Sequence, residues 1–283
     1  MPFVPMRELL VEANRGGYAV PSFCVWSAET MQTVLAVAAR LRAPVILMNG
    51  PAELGVLRPG AMSRVAAAML DRTPVRAALH LDHADALDLV CECLDANYTS
   101  VMLDYSARSF DENVAGMRQA VARAHPRGVT VEGELGHVGQ ADTVTTESAG
   151  DSTLTDPREA AKYVAATGVD ALAMSIGNAH GQYTKLPRFD FDRLAAIRAA
   201  VTVPLVLHGG SGTPDEDIRQ AISLGVAKVN VATDLVTAVR SSLMDQWQAG
   251  RNRWVPAAEP AAMDALSRVV EVWIRRLGAA ERA

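Results

Sequence analysis

Three histidines stand where apolar, strand-like runs of this sequence end. His83 follows the run VRAALHLD, His180 follows VDALAM in the segment SIGNAHG, and His208 ends VPLVLHG. Neutral imidazoles are common zinc ligands, and three of them with one open coordination position are typical of a catalytic zinc site. A second interpretation stays open, in which each histidine is a buried structural residue. Three such histidines at three strand ends favour the metal site.

Carboxylates are predicted to gather at the same place. Asp82 directly precedes His83, and Asp104 ends the run SVMLD. Glu132 and Glu134 are two residues apart in VTVEGEL, so on a strand they point to the same face. Such groups could orient the histidines or offer an alternative metal position. Each glutamate could equally pair with a buried arginine or lysine.

Two further strand ends are typical of a phosphate site. HGGSG ends the seventh apolar run and leads into the helix start TPDED, and NVATD ends the eighth run. In many barrels the loops after strands seven and eight bind phosphate through backbone N–H groups and a helix N-terminus. Turns need glycine in any case, so the position of these loops beside a metal-site histidine is what favours phosphate.

Eight short apolar runs alternate with segments of helical periodicity. The runs lie near residues 20, 46, 79, 102, 132, 173, 206 and 229. Several helical segments start at Asp or Ser and end at Gly or just before Pro. The runs lack polar alternation, as expected of parallel strands that are covered on both faces. This pattern predicts a (β/α)8 (TIM) barrel, with a doubly wound open sheet as the alternative.

One domain is predicted over residues 1–283, with C-terminal helices at about 235–283 that the segment AGRNRWVP interrupts. The longest loop, GHVGQADTVTTESAGDSTLTDP, follows the fifth run. A long polar loop on the catalytic face of a barrel is typical of a lid or a binding loop.

The composition argues against several classes of protein. The formal charge is −5 and no dense basic run occurs, which disfavours nucleic acid or an anionic membrane as a partner. No apolar stretch is long enough to span a bilayer, and the N-terminus MPFVPMRELL lacks the pattern of a signal peptide. Three cysteines give no disulfide framework. A reduced, cytoplasmic protein is expected.

Taken together, these motifs resemble the class II (metal-dependent) fructose-bisphosphate aldolase family, and most of all its short tagatose- and ketose-bisphosphate aldolase branch. The resemblance rests on GYAVPSF, PVIL, LHLDH, VMLDYS, VEGELG, LTDP, GVDALAMSIGNAHGQY, VPLVLHGGSG and KVNVATDL. It implies a TIM barrel that cleaves and forms an aldol bond in a phosphorylated ketose. It also implies zinc, with cobalt or manganese as alternatives, a monovalent cation near the phosphate loops, and a homodimer or homotetramer.

The resemblance also implies roles for single positions around the metal. Asp82 would transfer a proton to the hydroxyl group at the C–C bond that breaks or forms. Asp104 and Glu134 match acidic positions close to the metal. The zinc ligands would be His83, His180 and His208.

For the donor substrate, the resemblance implies dihydroxyacetone phosphate. Asn230 would touch this donor near its reacting carbons. The donor phosphate would be bound by Gly181, Gly209, Ser211 and Thr233.

The long loop departs from the family pattern. In ELGHVGQAD, Gln140 replaces a glycine, and Asp142 stands where the family has the glutamate that removes the substrate proton. Asp142 is therefore the candidate base, with Glu147 as the alternative. Arg253 in GRNRW is a candidate for the arginine that a neighbouring subunit often supplies to the second phosphate, and it is equally consistent with a solvated side chain.

The acceptor side departs as well. Cys24 and Ser27 replace two asparagines of the family pattern, and Trp26 adds apolar surface between them. The expected function is an aldolase with a possible non-standard acceptor aldehyde. Two alternatives remain: an ordinary fructose- or tagatose-bisphosphate aldolase, and a non-catalytic partner subunit that keeps the barrel to bind metal or phosphate.

Overall fold

Eight parallel strands close into a barrel in sequence order, each paired with the next and β8 paired with β1. This computed structural model describes residues 3–139, 154–181, 183, 186–251 and 254–283. The predicted TIM barrel is confirmed and the open sheet is excluded. The strands are β1 Val20–Cys24, β2 Val45–Asn49, β3 Ala77–Ala84, β4 Ser100–Leu103, β5 Thr130–Leu135, β6 Ala171–Met174, β7 Leu205–Leu207 and β8 Val226–Val231.

Helices surround the barrel in the part of the chain that is described. They are α1 Met6–Gly16, α2 Ala28–Arg40, α3 Pro51–Val56, α4 Pro59–Leu70, α5 Leu87–Asp95, α6 Phe110–Ala124, α7 Pro157–Thr167, α8 Phe191–Ala200, α9 Asp215–Ser223, α10 Thr233–Gln248 and α11 Val255–Arg276, with a 3-10 turn at His125–Arg127.

Capping residues explain where several helices begin. Ser27 caps α2: its hydroxyl accepts from the Thr30 amide, and the Thr30 hydroxyl accepts from the Ser27 amide. Asp156 caps α7 and Pro157 takes the first helical position, where the missing N–H costs nothing. Ser27, which replaces an asparagine of the family pattern, therefore serves as the N-cap of α2.

The sequence analysis did not predict α1, which closes the N-terminal end of the barrel. The Ser100 hydroxyl donates to the Met6 sulfur at 3.4 Å, and the Arg7 amide donates to the Thr130 hydroxyl at 3.0 Å. Ser100 and Thr130 are the first residues of β4 and β5. The helix therefore seals the end of the barrel opposite the predicted site.

The other differences concern helices. α3 and α4, which connect β2 to β3, were not predicted, and α10 begins at Thr233, two residues before the predicted start of the C-terminal helices. No described helix is both long and apolar enough to cross a membrane.

Candidate active site

The three predicted histidines meet at the C-terminal end of the barrel. His83 is the second-last residue of β3, His180 follows β6, and His208 comes directly after β7. Their ring centroids are 4.6 Å (His83–His208), 4.9 Å (His83–His180) and 5.7 Å (His180–His208) apart. One nitrogen from each ring can be chosen so that all three lie within 4.8 Å of one another. Parallel strands thus bring together residues that are far apart in sequence.

In two of these histidines one ring nitrogen is hydrogen-bonded and the other makes no hydrogen bond. His83 Nδ1 lies 2.8 Å from Asp104 Oδ2, and His208 Nε2 lies 2.8 Å from Glu132 Oε1. The remaining atoms, His83 Nε2 and His208 Nδ1, are buried without a hydrogen-bond partner. Carboxylates that hold the outer nitrogen of an imidazole are the usual support of a metal ligand. A divalent cation would satisfy both free nitrogens, so this donor set fits a metal.

Glu134 also belongs to this cluster. Its Oε2 is buried without a hydrogen bond and lies 3.0 Å from His208 Nδ1, while its Oε1 accepts from the Val138 amide at 3.1 Å. With His83 and Asp104 it forms a second group whose ligand atoms lie within 4.8 Å of one another. The predicted alternative metal position is therefore geometrically available.

The electrostatics differ among the histidines. Burial, reinforced by His208 and His83, lowers the pKa of His180 to about 4, which leaves its ring neutral and able to donate a lone pair at pH 7. Burial opposes a charge on His208 as well, but the carboxylates of Glu132 and Glu134 outweigh it and raise its pKa to about 10. A metal at the cluster would have to displace that proton.

His83 has a left-handed backbone with a φ of +46°, and the pairing of β3 with β4 shifts register between Leu81 and Ala84. A non-glycine residue in this region is strained by about 1–2 kcal/mol because its Cβ crowds the backbone. Strain at a bulge is a common device for aiming a functional side chain. Here the bulge turns the His83 ring towards His180 and His208.

This strain gives a stability prediction. In the metal-free protein, His83→Gly is expected to be about 1 kcal/mol more stable than His83→Ala, because only glycine lacks the Cβ that crowds a positive φ. Urea unfolding of the two variants measures the difference. The same pair at His125, whose φ is −60°, should favour alanine. Equal stability of the two His83 variants would contradict the strained backbone.

A buried charged network lies below the histidine cluster, inside the barrel. Lys228 Nζ is 2.8 Å and 3.1 Å from the two carboxylate oxygens of Glu132, and 3.4 Å from His80 Nε2. These three side chains are fully buried. Burial opposes the charge on Glu132, but Lys228 and His208 hold its pKa below the ordinary value. Glu132 fits both interpretations left open for it, since it pairs with the buried Lys228 and its Oε1 also lies 2.8 Å from His208 Nε2.

Sequence reasoning did not single out Lys228. The available signal was a lysine inside the apolar run AKVNVA, two residues before Asn230 and therefore on the same face of β8.

Asp82 is held at the mouth of this network. Asn230 Nδ2 donates to its two carboxylate oxygens at 3.1 Å and 3.2 Å, and His80 Nε2 lies 3.4 Å from Oδ1. Burial opposes ionisation, but the charge of His83 and the hydrogen bond from His80 keep the pKa of Asp82 well below its usual value. Asp82 therefore presents an ionised carboxylate, 3.9 Å from His83 Nε2.

The residues assigned to the donor phosphate surround the start of α10. Ser211 Oγ accepts from the Asp234 amide in the first turn of α10 at 3.1 Å, and Thr233 is the first residue of that helix. Gly181, Ser211 and Thr233 line one wall of a cavity of about 720 Å³. A helix N-terminus with free amides favours an anion.

Gly209 has a second reason to be glycine. Its φ is +65°, and a Cβ there would stand 2.0 Å from the carbonyl oxygen of Ala179. The loops after β6 and β7 thus approach so closely at this point that any side chain would collide with backbone.

His137 is a site residue that the sequence analysis left in the long loop without a role. Its Nδ1 lies 3.1 Å from the Ser106 hydroxyl, and it lines a cavity of about 320 Å³ together with His83, Asp104 and His180. Gln140, Asp142, Glu147 and Arg253 lie outside the described residues.

Comparisons with a family model and with solved structures give matches over nearly the whole chain. The family described as fructose-bisphosphate aldolase class-II matches residues 4–282 of the chain. The crystal structure of the YdjI aldolase from Escherichia coli K12 is similar, with 32% sequence identity, a TM-score of 0.88 and 99% of each chain covered. A fructose-bisphosphate aldolase from Campylobacter jejuni shares the fold at 22% identity, with a TM-score of 0.84 over 98% of this chain and 94% of that chain.

Proposed function

Since the chain belongs to the class II fructose-bisphosphate aldolase family and its structure is similar to that of a solved aldolase, we propose that it reversibly cleaves a phosphorylated ketose. The proposed donor product is dihydroxyacetone phosphate, and the proposed acceptor is an aldehyde other than the family's usual phosphorylated one. The observation that carries the proposal is the convergence of free, buried imidazole nitrogens beside an ionised Asp82.

His83, His180 and His208 are the residues that would hold a divalent metal, and zinc is the proposed ion because all three donors are imidazole nitrogens. Such a metal supplies Lewis-acid stabilisation of negative charge on the substrate's carbonyl oxygen. Asp104 and Glu132 orient His83 and His208 through the nitrogens that face away from the metal position. Glu134 remains the proposed alternative ligand.

Asp82 is the proposed group that exchanges a proton with the hydroxyl at the breaking C–C bond. Two bonds from Asn230 fix the direction of its carboxylate, and the low pKa leaves it able to accept that proton during cleavage. The same carboxyl group, once protonated, returns the proton to the aldehyde oxygen during condensation. Asn230 keeps its Oδ1 free of hydrogen bonds, which suits a contact with a donor hydroxyl.

The donor phosphate is proposed to bind at the start of α10, held by Gly181, Gly209, Ser211 and Thr233. The oriented amides of this helix end and the hydroxyl groups beside them supply the recognition. Asp142 is the proposed base that removes the donor proton.

The first experiment follows the donor alone. The purified protein is incubated with dihydroxyacetone phosphate in D2O, and the C3 proton is observed by NMR with and without a chelator. Exchange that the chelator abolishes and added zinc restores is the expected result, and it requires no knowledge of the aldehyde. Absence of exchange in zinc-replete protein would overturn the donor assignment and favour a non-catalytic, ligand-binding role.

A further inference from the structure

The C-terminal ends of β1 and β2 form a wall of the site between β8 on one side and β3 on the other. We call Ser22, Cys24 and Glu53 the acceptor wall. Ser22 and Cys24 share one face of β1, and Cys24 pairs in register with Met48 of β2. Glu53 is the third residue of α3, the helix that follows β2.

The Glu53 carboxylate lies beside the catalytic strand end. Its Oε2 accepts from the Gly50 amide at 2.7 Å. A Cβ built on Gly50 would stand 3.2 Å from this oxygen and 3.5 Å from the backbone oxygen of Asp82. Burial and the negative charges of Glu53 and Asp82 raise the pKa of the Cys24 thiol well above its usual value, so the thiol stays protonated.

Two polar atoms nearby have hydrogen-bonding capacity to spare. Ser22 Oγ and Asn230 Oδ1 are buried and lack hydrogen-bond partners, and these two residues face each other in the pairing of β1 with β8. Buried polar groups normally find a partner, so a ligand that brings hydroxyl groups would complete them. Together with Glu53 they offer acceptors for several hydroxyl hydrogens.

The acceptor wall carries negative charge without local compensation. In the described part of the chain Glu53 makes no ion pair, Lys228 is bound by Glu132, and Arg58, the residue before α4, pairs with Glu92. Glu53 would repel a phosphate or carboxylate on the incoming aldehyde because the charges are alike, and such repulsion disfavours binding of the wrong substrate. A hydroxyl group would instead donate to it.

We propose that the acceptor wall selects an uncharged, polyhydroxylated aldehyde and that Glu53 is the residue that determines this specificity. The inference rests on the proposed aldolase function and narrows its substrate to a ketose phosphorylated only on the donor half. Condensation joins the donor carbon beside the ketone to the aldehyde carbon. The proton lost from that donor carbon is balanced by the proton that the aldehyde oxygen gains.

Matched aldehydes test the proposal in the zinc-loaded protein. Condensation of dihydroxyacetone phosphate with racemic glyceraldehyde is compared with condensation with racemic glyceraldehyde 3-phosphate. The wild type is expected to show at least a tenfold higher kcat/KM for the neutral aldehyde. Glu53→Gln is expected to lower the ratio of the two kcat/KM values by about tenfold. The Glu53 charge repels the phosphorylated aldehyde and accepts hydrogen bonds from the neutral one, and the loss of both effects of one nearby charge is of that order.

Glutamine suits this position because its amide oxygen can still accept from Gly50 and keep the start of α3. Glu92→Gln, on the outer surface of α5, is the control and should leave the ratio unchanged. A wild-type preference for the phosphorylated aldehyde, or an unchanged ratio in Glu53→Gln with an unchanged unfolding temperature, would overturn the role of Glu53. Either result with intact proton exchange on the donor alone would leave the aldolase function standing, whereas loss of exchange would overturn both.

Discussion

Asp82→Asn is expected to lower the turnover of aldol cleavage by about 10²- to 10⁴-fold while donor proton exchange stays within a few-fold of wild type. The asymmetry follows from the position of Asp82. Its carboxylate serves the hydroxyl of the breaking bond, and exchange on the isolated donor does not involve that hydroxyl. Asparagine has nearly the same shape and can still accept from Asn230, but it cannot take up a proton.

Steady-state cleavage of a ketose 1-phosphate and NMR exchange on the donor measure the two steps separately. Asp85→Asn, an exposed carboxylate three residues further on, is the control and should change neither. Equal loss of both reactions in Asp82→Asn would show that Asp82 acts through the metal position or the fold.

Lys228→Met is expected to lower the free energy of unfolding by about 3–5 kcal/mol, since it removes the ammonium group of a fully buried ion pair and leaves Glu132 with only His208 beside it. The double variant Glu132→Gln/Lys228→Met should recover part of this loss, because it removes both charges while the glutamine oxygen can still accept from His208. Urea unfolding of the metal-free proteins gives the values.

A surface pair supplies the comparison for this prediction. Arg58→Met breaks the exposed pair with Glu92 and should cost at most about 1 kcal/mol. A loss of similar size in Lys228→Met would mean that the interior of the barrel tolerates Glu132 without Lys228, and this ion pair would then contribute little to stability.

The barrel and the histidine cluster could be predicted from the sequence for one physical reason. Apolar runs without polar alternation indicate strands covered on both faces, and parallel strands place their C-terminal ends at one edge. If the sheet closes into a barrel, residues at these strand ends, such as His83 and His208, lie at the same end of the barrel and close to each other.

The pairings within the barrel could not be predicted in the same way. Periodicity showed that Glu132 and Glu134 share a face, but it does not say whether that face is inside the barrel. Lys228 reaches Glu132 from 96 residues away in sequence, a contact that only the closed sheet creates. In the sequence Glu53 is an ordinary residue at a helix start. Its distance from Asp82 depends on the direction in which the chain continues from β2 into α3.

The missed helices have local explanations. α1 is short, precedes the first strand and carries several charges, so nothing in its sequence indicates that Met6 enters the barrel. α3 and α4 are separated by Leu57 and Arg58, and Pro59 at the first position of α4 divides what would otherwise be one continuous helix.

The contact between Gly209 and Ala179 bears on how selective the metal position can be. Each residue is the immediate neighbour of a proposed ligand, Gly209 of His208 and Ala179 of His180. Two main-chain segments that meet without any intervening side chain cannot move closer, and their separation is set by atomic radii. The main-chain positions of the two proposed ligands therefore cannot move closer together, and only rotation of the side chains can bring the two imidazoles nearer to each other.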